Sequence, residues 1–121
     1  MKALLIGGTG TISSAITKRL AEIGWETYLL NRGNRNGNVP ENVKLITADI
    51  NNESEAAAVL EDMKFDVVCD FICFHPEQAE RDFRLFNGRT KQFIFISSAS
   101  AYHKPVCDYR ITEGTTLANK Y

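Results

Sequence analysis

The segment KALLIGGTGTIS (Lys2–Ser13) passes from an almost unbroken apolar run into a glycine cluster and then into a helical pattern. Continuous apolar residues from Lys2 to Ile6 fit a strand covered on both faces, as in a parallel sheet. Beyond the cluster, Ile12, Ile16, Leu20 and Ile23 recur on one helical face, and Gly24 is the stop signal. Strand, glycine turn and helix in that order open a βαβ unit. Glycine there lets the backbone turn tightly and lets a pyrophosphate approach the amides at the helix N-terminus. No Lys-Ser or Lys-Thr follows the glycines, which excludes an NTPase phosphate loop.

Outward from this segment the alternation repeats. A second strand is expected over Glu26–Leu30, and NRGNRNGNVP (Asn31–Pro40) can only be a loop. Val43–Thr47 reads as a third strand. Asn52 and Glu55 have capping-box spacing and open a short helix through Ala56, Ala57, Val59 and Leu60. DVVCDF (Asp66–Phe71) reads as a fourth strand. His75-Pro76 then starts a helix whose core residues include Phe83 and Phe86, ended by Asn87-Gly88. QFIFI (Gln92–Ile96) reads as the fifth strand. The fold class expected is α/β: a Rossmann-like, doubly wound parallel sheet with five strands in order 3-2-1-4-5. Ligands should sit at the carboxyl ends of the strands, near the switch point between strands 1 and 4. Residues 1–97 form the expected core, and residues 98–121 carry no convincing element of their own.

Composition narrows the function classes. The chain has 121 residues, 14 basic against 15 acidic, and a net charge of -1. That balance argues against binding nucleic acid or anionic lipid. No apolar run approaches the ~20 residues that span a bilayer, and MKALLIGG lacks a signal-peptide layout. The three cysteines, Cys69, Cys73 and Cys107, contain no CxxC pair. They suit a reducing, cytoplasmic compartment and give no metal site.

GGTGTIS (Gly7–Ser13) resembles the G-x-x-G-x-x-G fingerprint of the short-chain dehydrogenase/reductase superfamily, in its extended or atypical NAD(P)-dependent epimerase/dehydratase branch. TADI (Thr47–Ile50) is similar to the acidic turn after the third strand of that family, and DVVCDFIC (Asp66–Cys73) to its fourth strand. FIFISSASAY (Phe93–Tyr102) is similar to the fifth-strand segment of sugar-nucleotide epimerases, and ITEGTTL (Ile111–Leu117) to the loop before the catalytic helix. Ser13 departs from the third glycine, which should loosen helix–sheet contact slightly without blocking the phosphate site.

The resemblance implies cofactor contacts from Gly7, Gly10, Thr11 and Ile12, from Asp49 and Ile50 around adenine, and from Phe71, Ile72 and Cys73 beside the nicotinamide ribose. Asp49 can equally be an ordinary turn residue before the Asn52 cap. At the end of the second strand, where an acidic residue would favour NAD, the chain has Asn31, Arg32 and, three further on, Arg35. Arginine offers charge-assisted hydrogen bonds to a 2'-phosphate, so NADP is preferred over NAD. Loop arginines are, alternatively, often solvated surface.

For catalysis, the resemblance implies that Ser98 hydrogen-bonds the reacting oxygen; backbone capping is its plain alternative. The family's Y-x-x-x-K is absent: Tyr28, Tyr102 and Tyr109 are followed at the fourth position by Arg32, Val106 and Glu113, and Tyr121 ends the chain. The expectation is therefore the NAD(P)-binding portion of an epimerase, dehydratase or reductase, truncated before its catalytic helix and inactive alone. Residues 98–121 would be an active-site loop segment. The substrate would be a small molecule such as a nucleotide sugar, met in the full-length protein, and the protein a homo-oligomer. The competing reading is a dinucleotide-sensing module without chemistry. Cys69 reads as a small buried hydrophobe, and His75 as a helix-start residue.

Overall fold

In the computed structural model the described residues are 1–33, 39–98, 101–103 and 110–117. Strands β1 (Lys2–Ile6), β2 (Glu26–Asn31), β3 (Lys44–Thr47), β4 (Phe65–Asp70) and β5 (Thr90–Phe95) alternate with helices α1 (Thr11–Glu22), α2 (Glu53–Val59) and α3 (Pro76–Phe86). The strands form one sheet in the order β3-β2-β1-β4-β5, every neighbouring pair parallel. β1 lies between β2 and β4, with Leu4 beside Tyr28 on one side and Val68 on the other. The sheet order and the alternation are those the sequence predicts.

Alternate residues of the central strands feed two cores. Leu4, Ile6, Leu30 and Val68 pack with Ala56, Leu60, Leu85 and Phe86 from the α2 and α3 side. Leu5, Leu29 and Cys69 pack on the other face, against Ile16, Leu20 and Ala21 of α1. Both faces of β1 are thus dry, which is why its sequence shows no polar alternation. Burial pushes the Cys69 thiol up to about 11, the behaviour of a small hydrophobe rather than a nucleophile.

Local signals set the helix starts. Asn52 Oδ1 accepts from the Glu55 N–H at 3.3 Å, capping α2 as its spacing predicts. His75 is the N-cap of α3, with Pro76 in the first turn and Gln78 Oε1 accepting from the His75 N–H at 3.0 Å.

Helix faces depart from the predicted pattern in two places. In α1 the residues buried against the sheet are Ser13 and Thr17, whereas Ile12 is 62% exposed and Ile23 lies in the open at the C-cap. Both hydroxyls bond backbone carbonyls of the turn or helix start, Ser13 that of Gly7 and Thr17 that of Ser13, which lets them be buried there. In α3, Phe83 is 68% exposed instead of core, because the buried face is Arg81, Asp82, Leu85 and Phe86. A charged pair has taken one turn of the inward stripe and rotated Phe83 outward. β5 is an edge strand whose Phe93, Ile94 and Phe95 are all substantially exposed.

Candidate functional site

The turn from β1 into α1 is built by close approach. Gly7 has φ +78°, and a Cβ there would lie 2.7 Å from Ile72 Cγ2; a Cβ on Gly8 would run into the buried Leu29 side chain. The positive φ disfavours any side chain at Gly7, and one at Gly8 would force the Leu29 methyl groups aside in the core. Ser13, in place of a third glycine, ties the turn together: its Oγ accepts from the Gly10 N–H at 2.9 Å and lies within donating distance of the Gly7 and Gly10 carbonyls. The predicted loosening is therefore offset by a hydroxyl staple, backed by Thr17 Oγ1 donating to the Ser13 carbonyl at 2.8 Å. Ser13→Ala is expected to cost about 1 kcal/mol in a thermal melt; a variant as stable as the parent would show the staple to be idle. The first-turn N–H groups of α1, at Thr11 and Ile12, precede any intrahelical acceptor and suit an anion.

A groove of about 730 Å³ opens at the carboxyl ends of β1, β2, β3 and β4. Its floor is Gly7, Thr9 and Gly10, and its sides carry Asn31 and Arg32 from the end of β2, Asp49, Ile50 and Asn51 after β3, and Ile72, Phe74 and Gln78 around the start of α3. Of the residues singled out in the sequence, Gly7, Gly10, Asn31, Arg32, Asp49, Ile50 and Ile72 line this groove. Thr11 and Ile12 form the adjoining helix turn without lining it. Arg35 lies outside the described residues.

The remaining candidates fall elsewhere. Phe71 packs in the core on the α1 side, its N–H donating to the Ile6 carbonyl at 3.1 Å. Cys73 is buried and lines a second groove, of about 470 Å³, between α3 and β5. Ser98 is exposed beyond the end of β5, its carbonyl accepting from the Ala101 N–H at 3.0 Å. Asp49 is a turn residue, its Oδ1 accepting from the Asn51 N–H at 2.9 Å, and it also lines the groove. Asn31 Oδ1 accepts from the Gly33 N–H at 2.7 Å and shapes the loop that carries Arg32.

Beneath the groove lies a polar cluster that sequence reasoning did not find. Arg81, with a side chain 6% exposed, donates to Asp82 Oδ1 at 2.6 and 2.9 Å, to Asp70 Oδ2 at 3.3 Å and to Asn51 Oδ1 at 2.8 Å. Asp82 Oδ2 is the one buried side-chain polar atom without a partner among the described residues. Burial first, and then Asp82 beside it, push the Asp70 carboxyl up to about 7. Two buried carboxylates thus share one guanidinium. Asp70, Cys73 and Asp82 offer ligand atoms within 4.8 Å of one another, but the guanidinium already provides the cation there. The available signal was positional: Arg81 and Asp82 sit four residues before Leu85 and Phe86, on the apolar stripe, and Asp70 ends an apolar strand.

The comparisons agree with this architecture. The structure of a UDP-glucose 4-epimerase superposes with a TM-score of 0.84 at 19% identity, covering 99% of this chain and 42% of that one. The UDP-glucose 4-epimerase of Bifidobacterium longum in complex with NAD+ and UDP gives 0.78 at 20% identity, covering 98% and 43%. WbmG of Bordetella bronchiseptica in complex with NAD gives 0.79 at 13%, covering 98% and 44%. The chain thus spans well under half the length of these enzymes. No curated protein sequence matches it significantly. Among the described residues no helix is long and apolar enough to cross a membrane. The profile of the NAD dependent epimerase/dehydratase family matches residues 3–119, all but two residues at each end. The chain belongs to the NAD dependent epimerase/dehydratase family.

Proposed function

We propose that this chain is the dinucleotide-binding portion of an enzyme that moves hydride to or from a hydroxyl- or carbonyl-bearing carbon, with a nucleotide sugar as the substrate class. The observation that carries this is the groove at the carboxyl end of β1, floored by Gly7 and Gly10 and adjoining the first-turn amides of α1. In this reading residues 1–97 are the cofactor-binding core and residues 98–121 the active-site loop segment, with Ser98 as the hydrogen-bond partner of the reacting oxygen. The dinucleotide, when bound, supplies hydride acceptance and donation. The protein's residues orient it: pyrophosphate against the α1 turn, adenine toward Asp49 and Ile50, and nicotinamide toward Ile72 and the β4 end. The same reading places the protein in the cytoplasm as a homo-oligomer.

The cofactor preferred is NADP. Arg32 lines the groove where β2 ends, and neither Asn31 nor Arg32 carries a carboxylate to repel a 2'-phosphate. Calorimetric titration with NADP, NAD and adenosine diphosphate ribose tests both parts. Gly10→Val sets a branched side chain against the pyrophosphate path and should weaken all three ligands about 30- to 1,000-fold. Arg32→Ala should weaken NADP about 10- to 100-fold and leave NAD nearly unchanged. A folded protein that binds none of them refutes the dinucleotide reading. Equal losses for NAD and NADP in Arg32→Ala refute the preference alone.

A further inference from the structure

The groove has two facing walls, the turn after β3 (Asp49–Asn52) and the turn after β4 (Phe71–His75), and both are fastened to α3. Gln78 accepts through Oε1 from the Phe74 N–H at 2.7 Å and the His75 N–H at 3.0 Å, while its Nε2 donates to Asn51 Oδ1 at 3.3 Å. The same Asn51 oxygen accepts from Arg81 Nη1 at 2.8 Å. A guanidinium has only donors, so the Asn51 carboxamide must present its oxygen to α3. Arg81 cannot swing away, because Asp70 and Asp82 hold its other nitrogens in the core.

We propose that Asn51 is a positioning residue: gripped by Arg81 and Gln78, it ties the turn after β3 to the turn after β4 and fixes the width of the groove between them. Its consequence for affinity rests on the dinucleotide reading above; the tie itself does not. A groove held open in this way spares an adenine-containing ligand the cost of ordering two turns. The fixed post is a buried side chain of α3, while the residue it holds is exposed. Substitution at Asn51 therefore tests the tie without opening the core.

The test compares Asn51→Ala with Asn51→Asp, which keeps the acceptor for both donors. In the unliganded protein, Asn51→Ala should speed amide hydrogen exchange at Phe74 and His75, and Asn51→Asp should restore the parent rate. Titrated with adenosine diphosphate ribose, Asn51→Ala should bind about 3- to 20-fold more weakly than the parent. Unchanged exchange at Phe74 and His75 in Asn51→Ala would overturn the tie, whatever the ligand does. Faster exchange in Asn51→Ala with binding as tight as the parent's would overturn the link to affinity, since the width of the groove would then not limit the ligand. A parent protein that does not bind the ligand defeats the dinucleotide reading, and the exchange comparison still decides the tie.

Discussion

Replacing Arg81 with methionine is expected to cost about 3–5 kcal/mol of folding stability at pH 8, enough to leave a small domain marginal or unfolded. The side chain is nearly as long and as easily packed, so the loss is electrostatic rather than a cavity. What goes is the only cation bonded to two buried carboxylates among the described residues, Asp70 with a side chain 0% exposed and Asp82 with one 2% exposed. An uncompensated buried charge cannot be relieved by water that has no access to it. Arg81→Lys should lose less than Arg81→Met but still lose, because one ammonium cannot serve Asp70, Asp82 and Asn51 in the planar fork that a guanidinium provides. Urea unfolding followed through Trp25, the single tryptophan, reads both variants. A cost under about 1 kcal/mol for Arg81→Met would mean that the two carboxylates are already neutral or hydrated without it.

This cluster also marks where the sequence stops being legible. The sheet could be read from residues because each central strand is a short apolar run and each crossover has a start or stop signal: Gly7–Gly10, the Asn52 cap, His75-Pro76, Asn87-Gly88. The order of strands followed from topology rules rather than from any one residue. The turn that floors the groove was equally legible, since a glycine cluster between an apolar strand and a helix marks a tight backbone turn, and Gly7 does take φ +78° there. Asn51 and Gln78 were not, because a polar residue in a turn or on a first helical turn reads as solvated surface until its partner is known. Phe83 misled for the opposite reason. Hydrophobic periodicity assumes that charged residues face water, and in α3 the stripe is occupied by Arg81 and Asp82, whose burial depends on Asp70 eleven residues earlier. Such pairing is non-local, and periodicity carries no information about it.

The same carboxylates give the protein a pH dependence of unusual sign. Most structural carboxylates are held below their ordinary range and favour folding as pH rises; Asp70 is pushed the other way, from 3.8 up to about 7, by burial and by Asp82. The folded chain therefore keeps a proton that the unfolded chain has already lost. The unfolded state binds fewer protons across that interval, so stability should fall as pH rises from about 4 to about 7, at up to ~1.4 kcal/mol per unit, and level off above. Asp70→Asn tests the assignment. Its amide oxygen can still accept from the Ile72 N–H, which donates to Asp70 Oδ1 at 2.7 Å, and its NH₂ can donate to Asp82 without titrating, although the 3.3 Å contact with Arg81 is given up. The variant should show a flattened stability profile between pH 5 and 8, with its urea midpoint closest to or above the parent's at pH 8. If parent and variant lose stability in parallel across that interval, the proton is not on the Asp70–Asp82 pair. The link to the site is then direct, because Arg81 divides its nitrogens between this pair and Asn51. Its Nε and Nη2 go to the carboxylates and its Nη1 to Asn51, so a fold loosened by the ionisation of Asp70 should free Phe74 and His75 for amide exchange at the same pH.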